Sequence, residues 1–459
     1  MGGSTRLARD ERISSPLMPQ AILAPAPPAV RALLAEWGRT ADDPRLEVDP
    51  GDEMLGFLRD VHGGDGEHAL GRYFLSGASI ARVLLQVLRW RFGDAAAVPS
   101  LLDFASGYGR VTRFLLDAVP ASAIVAVDLL PAARAFQQRV LGVRALASSA
   151  APESLALPGR YAAILVTSLF THLPEARFAP WLHALLGRLE PGGLLVFSTH
   201  DLSLLPAEQR PSAGCCFQPV SEIAALAEED YGSTWVDEPF VRAALAASGA
   251  PGSAIRLPRA LCGYQDLWVV VPEPGETFAS LSLQTEPEVV VEACDVTGGE
   301  LTLRGWAHGR YGGISRIEVA LDGALVGSAP VDGERDDVAA VLGPTARRCG
   351  WIVRSPFPAA ASPVDSVLLL RAVDARGARH VVWAGRPVTA ALAARGLQAR
   401  EAEAALHNVR CERAAERAAT GQEIADLRAT VARMRASGFW KLRDAWFAIK
   451  RALRLTDEA

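Results

Sequence analysis

Apolar and polar positions fall into three successive regimes along the chain. From about Pro50 to Pro272, patterns with apolar residues every three or four positions alternate with short apolar runs such as LLDF, IVAV, AAILV and LLVFS. That alternation predicts a parallel sheet covered by helices, because each parallel strand needs a crossover to return in the same direction. The stretch PEPGETF (272–278) breaks both periods and predicts a linker. Beyond it, VVVEACDV, ELTLRGWA, RIEVALDG, SVLLLRAVD and HVVWAG are strand-length runs divided by Gly, Asp and Pro, which predicts a small β-sandwich. Asp322-Gly323, after the alternating IEVAL, is a two-residue hairpin signal. From Val388 onward strand formers give way to Ala, Arg, Glu and Leu. There Ile424, Leu427, Val431 and Met434 share one helical stripe and predict a short coiled coil. The expected division is a poorly specified lead-in (1–45) with one short helical pattern, an α/β unit (46–272), the sandwich (280–387) and a helical tail (388–459).

Composition narrows the classes. A length of 459 residues corresponds to about three units at roughly 150 residues per domain. The 47 basic and 52 acidic residues leave a net charge of -5, so no general basic field recruits nucleic acid. The six cysteines form no CxxC pair and no His/Cys cluster at metal spacing, which points to a reducing compartment without structural zinc. The N-terminal MGGSTRLARDERISSPL lacks the apolar core of a secretory signal. The longest apolar runs are far short of the ~18 residues that span a bilayer. A cytoplasmic chain is expected, with peripheral contact at the inner membrane face through its C-terminus. Between Arg435 and Leu455, six basic residues face one acid, among Phe439, Trp440, Trp446 and Phe447 at helical spacing. A basic amphipathic helix over 437–455 suits an anionic membrane surface or a partner groove, and the C-terminal helix is a candidate for homo-oligomerisation.

The chemistry concentrates in LLDFASGYGR (101–110), a buried strand that turns into a helix through Gly107 and Gly109. Residues without a Cβ let backbone N–H groups approach a ligand closely. The next strand, IVAV, ends in Asp128, twenty-one positions after Gly107, where a carboxylate can accept both ribose hydroxyls of a nucleotide-like cofactor. A nicotinamide site shows a similar pattern. It seats a pyrophosphate, however, which the Asp103 carboxylate would repel, and Thr112 stands where a third small residue is wanted.

Taken together these residues resemble a class I S-adenosylmethionine-dependent methyltransferase over about 50–272, with a Rossmann-like sheet. LLDFASGYGR is similar to that family's first motif, AVDLLP to the second, YAAILVTSLFTHLPE to the fourth-strand segment and LEPGGLLVFSTH to the fifth. Tyr73-Phe74-Leu75-Ser76-Gly77 resembles the lead-in of a subset met in bacterial glycan biosynthesis. The resemblance implies S-adenosyl-L-methionine as cofactor, with its methionine end at Ala105, Gly107 and Gly109, supported by Asp103. It places the ribose at Asp128, the adenine on Leu129 with Ser149 at its edge, and Tyr73 and Gly77 closing the carboxylate end. It also implies a bacterial surface glycan, or its lipid-linked precursor, as acceptor. A non-catalytic scaffold with a vestigial site is the alternative of a different class.

Methyl transfer is an in-line displacement, so the protein mainly positions the nucleophile. A sugar hydroxyl gains from a base that removes its proton. Ligands of open α/β sheets lie beyond the carboxyl ends of the strands, which exposes Thr167, Ser168 and His172 after the fourth strand and His200-Asp201 after the fifth. His172 and His200 are the candidate bases. Tyr231 and Trp235 either line an acceptor pocket or staple the following helix. Trp306, Trp351 and Trp383 read as core residues of the sandwich, with sugar platforms as the alternative.

Overall fold

The structure is a computed structural model that describes residues 26–40, 42–212, 214–219, 231–249, 252–273 and 275–396. Three helices come first. α1 (Pro28–Glu36) starts at a proline, whose fixed φ suits the first helical turn. α2 (Glu53–Val61) is capped by Asp52, whose carboxylate accepts from the Met54 and Leu55 N–H groups. α3 (Gly66–Phe92) is capped by Asp65 and stopped at Gly93, with φ of 78°.

The α/β part follows as β1 (Leu101–Phe104), α4 (Thr112–Leu115), β2 (Ile124–Asp128), α5 (Pro131–Phe136), β3 (Arg144–Ala147), β4 (Tyr161–Val166), α6 (Glu175–Leu186) and β5 (Leu189–Asp201). After these come β6 (Cys215–Gln218), β7 (Ser233–Val236), α7 (Glu238–Ala247), β8 (Ser253–Leu261) and β9 (Gln265–Val271). Strands pair in the order β3-β2-β1-β4-β5, all parallel. β9 then adds antiparallel to β5, and β8 antiparallel to β9. The order reverses between β1 and β4, so a crevice opens beyond their carboxyl ends.

Alternation along each strand divides two cores. Leu101, Ile124, Ala163, Leu165, Leu194 and Val196 face α1 and α3. Leu102, Phe104, Val127, Ile164, Phe197 and Trp268 face α6 and α7. β5 extends past its pairing with β4 and β9, and its last residues, His200 and Asp201, pair with Trp235 and Val236 of β7 in the same sheet.

Two antiparallel sheets complete the fold. Their elements are β10 (Glu288–Thr297), β11 (Glu300–His308), β12 (Ile314–Leu321), β13 (Ala324–Pro330), β14 (Gly333–Glu334), α8 (Asp336–Leu342), β15 (Arg348–Pro356), β16 (Leu368–Asp374) and β17 (Arg379–Gly385). One sheet is ordered β10-β11-β15-β14, the other β13-β12-β16-β17. Leu301, Leu303, Trp351 and Val353 of the first meet Ile317, Val319, Leu368, Leu370 and Trp383 of the second in a common core. Trp351 and Trp383 are buried there, as expected, whereas Trp306 packs only at the edge of a small cluster with Val338, Ala346 and Cys349.

The opposite face of the second sheet is not bare. Leu369, Val381 and Ala384 join the cluster of Leu33, Leu34, Leu70 and Phe74 from α1 and α3. That explains why α3 is apolar around most of its circumference: it is covered by the parallel sheet on one side and by the antiparallel sheet on another. The described residues up to Ala393 accordingly form one compact unit. Two expectations change in consequence. The helical part of the lead-in, α1, is core, since Val30, Leu33 and Leu34 are fully buried. The expected linker is held to α3 at two of its described residues, with Glu276 paired to Arg91 at 3.3 Å and Phe278 stacked on Trp90 at 5.5 Å. The coiled-coil stripe, the basic helix over 437–455 and with them the expected oligomer and membrane contacts lie outside the described residues.

Candidate functional site

The turn after β1 is built on residues with positive φ: 56° at Ala105, 56° at Gly107 and 74° at Gly109. Ala105 is strained there, as non-glycine residues are in this region. The turn is held from below. Asp128, ending β2, accepts from the Gly107 N–H at 2.7 Å and from the Leu130 N–H at 2.8 Å. Each carboxylate oxygen keeps a lone pair for a further donor. Gln137 donates to the Gly107 carbonyl at 2.7 Å and to Ser106 Oγ at 2.8 Å. Arg113, fully buried, donates to the carbonyls of Gly109, Tyr108, Arg45 and Glu47. One guanidinium thus joins the turn to the segment that leads into α2.

A cavity of about 430 Å³ opens over this turn. Ala105, Gly107, Asp128, Leu129 and Ser149 line it, as does His172. A Cβ on Gly107 would meet nothing within 4 Å, so the space beside it is open. The Ser149 hydroxyl donates to the Ala151 carbonyl at 2.6 Å, so toward an adenine edge it can act only as an acceptor, beside its backbone groups.

Four residues assigned to cofactor contact from sequence stand behind the wall. Asp103 is buried, and its carboxylate accepts from Thr112 Oγ1 at 2.6 Å. Burial pushes its pKa up to about 6, opposed by the Thr112 hydrogen bond. The two residues that disfavoured a dinucleotide therefore partner each other. Gly109 backs onto Leu141, whose Cδ1 lies 2.4 Å from where a Cβ would be. Gly77 meets the Arg110 carbonyl in the same way, again at 2.4 Å. Tyr73 is fully buried and donates to Asp52 Oδ2 at 2.6 Å.

Asp52 is one of several lining residues that sequence reasoning missed, with Glu53 and Arg110. Burial raises the pKa of both Glu53 and Asp128. Arg110 donates to Ser76 Oγ at 2.8 Å, and among the described residues no acid pairs with it. Arg110 lay in plain view within the glycine motif, and Asp52-Glu53 carried a helix-cap signal. Neither signal says which hollow a side chain faces.

The two candidate bases part company. His172 is stacked on Tyr231, with rings 4.6 Å apart and 10° from parallel, and both line the cavity. Its Nδ1 lies 2.7 Å from the Gly232 carbonyl oxygen. A carbonyl only accepts, so Nδ1 carries the proton and Nε2 keeps a lone pair. Burial lowers the His172 pKa, which favours this neutral form. Ser168, at φ of 67°, holds its hydroxyl 3.1 Å from Gln265 Nε2 on the same rim.

His200 does not line the cavity. It sits between Trp235 and Tyr264, at 6.0 Å from each ring, with a buried, unpartnered Nδ1. Burial, then the neighbouring His172, lower its pKa to about 4. Asp201 is engaged by Arg256, which also binds Asp266 at 2.7 Å. The continuation of β5 into β7 pairing turns this end of the strand away from the hollow.

The acids Asp52, Glu53 and Asp128 with the single cation Arg110, counted among the described lining, suit a ligand with two positive centres and one carboxylate. Residues 76–235 match the family model for a methyltransferase domain. No curated protein matches the chain. Among solved structures it is similar to the glycopeptide N-methyltransferase MtfA (20% identity, TM-score 0.33, covering 42% of this chain and 90% of that one). It is similar to DesVI of Streptomyces venezuelae (17%, TM-score 0.34, covering 50% and 100%). A third is the sugar N-methyltransferase KedS8 of a Streptoalloteichus species (19%, TM-score 0.33, covering 49% and 94%). The chain thus carries a methyltransferase domain, built on a mostly parallel, Rossmann-like sheet. The cofactor of that domain is S-adenosyl-L-methionine. No helix among the described residues is long and apolar enough to cross a membrane.

Proposed function

We propose that this protein transfers a methyl group from S-adenosylmethionine to a hydroxyl of a bacterial surface glycan or its lipid-linked precursor. The observation that carries the reading is the continuity of one cavity from the Gly107 turn and Asp128 to the lone pair of His172 Nε2. When bound, the cofactor supplies a sulfonium-activated methyl group. Asp128 holds the ribose hydroxyls, Leu129 and the Ser149 backbone face the adenine, and the acids Asp52 and Glu53 offset the cationic end. Arg110 takes the carboxylate. Tyr73 acts through Asp52, and Asp103 through Thr112, as positioning residues. His172 accepts the acceptor hydroxyl's proton at Nε2 as its oxygen is methylated. Tyr231 orients the imidazole and, with Ser168, offers the polar and aromatic contacts that a sugar ring takes. His200 has no direct part.

Calorimetric titration of the full chain with S-adenosylmethionine and with NADH tests the cofactor. Heat with the first alone is expected, and heat with neither would favour a scaffold. Transfer of labelled methyl to a panel of glycans and lipid-linked saccharides tests the acceptor. Protein that binds the donor yet methylates no hydroxyl in the panel would refute the glycan reading.

A further inference from the structure

A second hollow, of about 250 Å³, lies where α3 meets the antiparallel sheets, and nothing in the proposed methyl transfer uses it. Its wall includes Arg72, Ser76 and Ser79 of α3, Cys262 of the β8–β9 turn, Glu288 of β10 and Trp306 of β11. Glu288 is built in. Gly263 has φ of 77°, and a Cβ there would lie 2.6 Å from Glu288 Cγ, so the side chain occupies room that a glycine leaves. Glu288 Oε1 is turned into the protein, buried without a hydrogen bond and 3.9 Å from Arg310, which leaves Oε2 as the carboxylate oxygen a ligand in the hollow can reach. Arg72 makes no ion pair among the described residues, whereas Glu286 beside it is already paired with Arg82. Trp306 is held from behind by Val338, Ala346 and Cys349.

These groups discriminate between ligand classes. An anion would face Glu288 and Glu286, and a cation would face Arg72. An apolar molecule would leave both a carboxylate oxygen and a guanidinium without partners. A neutral ring rich in hydroxyls gives donors to Glu288, acceptors to Arg72 and a C–H face to the indole. The volume is below the roughly 300–1,000 Å³ of drug-sized sites, which fits a single ring. We infer that the hollow between α3 and the antiparallel sheets is a saccharide-binding subsite, gripped by Arg72, Glu288 and Trp306. Ser76 belongs to its wall and also accepts from Arg110, which lines the cofactor cavity, so the subsite adjoins the cofactor site through one hydrogen bond. The inference goes beyond the methyl-transfer reading and does not need it.

Saturation-transfer NMR on the full chain would use the methyl α-glycosides of glucose, mannose, galactose, rhamnose and fucose. Glycine betaine and inorganic phosphate serve as zwitterionic and anionic probes. At least one glycoside is expected to bind, and Arg72→Ala and Glu288→Gln should each weaken it tenfold or more. S-Adenosylhomocysteine affinity in both variants should remain within twofold of wild type, which reports that the chain is folded. Glu288→Gln preserves shape and serves where Arg72→Ala fails to fold. No glycoside signal, binding of betaine or phosphate in its place, or glycoside affinity unchanged in both variants would overturn the subsite. Failure of the methyltransferase reading would show instead in the S-adenosylhomocysteine titration of the wild type.

Discussion

Arg110 is where the cofactor reading is most exposed to a single substitution. Its guanidinium reaches a cavity whose other charged lining groups are acids, and its own partner is the neutral Ser76 hydroxyl. A hydrogen bond to a charged group contributes roughly 1.5–3 kcal/mol, or about 10- to 100-fold in affinity. Wild-type protein should therefore prefer S-adenosylmethionine over its decarboxylated analogue by about that ratio, and Arg110→Ala should bind the two alike in calorimetry. A preference left intact in the variant would remove Arg110 from the carboxylate site. His172 gives a second residue-scale expectation. Burial lowers its pKa from the usual 6.5, so its neutral, proton-accepting form prevails above that lowered value. The rate should rise with pH through a midpoint below 6.5 and then level off, because deprotonation is complete there. Replacement by Ala should cost about 10²–10⁴-fold in turnover, the usual range for a positioned base, with donor affinity nearly unchanged. An acid limb centred above 7 in the pH–rate profile would exclude it.

Helix α3 shows how an element far from the reacting atoms fixes the site. It approaches the glycine turn so closely that a Cβ on Gly77 would sit 2.4 Å from the Arg110 carbonyl and 3.1 Å from Phe114. Neither the turn backbone nor the packed ring can give way freely. Gly77→Ala should therefore push α3 off the turn, lowering stability by about 1–3 kcal/mol, as overpacking does, and weakening S-adenosylhomocysteine binding. Urea unfolding and titration of the same sample check both. This element also marks what was legible in the sequence. The β1 turn, its two glycines and the Asp128 spacing could be read because they are local backbone requirements. Whether the Asp103 carboxylate faces the hollow or Thr112 nine residues on could not, since both positions satisfy the same motif. Asp52 and Glu53 were missed because a helix cap looks alike on any surface, and it takes tertiary contacts such as those of Arg113 and Tyr73 to bring that helix over the turn. His172 and His200 both follow sheet strands and look equivalent in sequence. The unforeseen pairing of β5 with β7 is what separates them.

At the scale of the molecule, the antiparallel sheets are structural partners of the methyltransferase domain. Leu369, Val381 and Ala384 are buried against the cluster formed by α1 and α3. The pairs Arg371–Glu36 and Arg386–Glu67 close the same seam, with N···O separations of 2.6 and 3.0 Å. Both pairs are partly buried, and the desolvation of their charges offsets much of their attraction, so the apolar seam decides the outcome. Fully burying one aliphatic side chain is worth roughly 1.5–3 kcal/mol. Uncovering α1 and α3 along this face would remove several such contributions from a total stability on the order of 5–15 kcal/mol. A chain ending at residue 279 should consequently aggregate or unfold far below the full chain's Tm, and lose S-adenosylhomocysteine binding with it, even though every lining residue of the cofactor cavity is still present. The full chain should show one calorimetric transition for the α/β part and the antiparallel sheets together. If the shortened chain instead melts cooperatively at an unchanged Tm and binds S-adenosylhomocysteine normally, the sheets are an appendage, and the apolar surface of α3 needs another explanation.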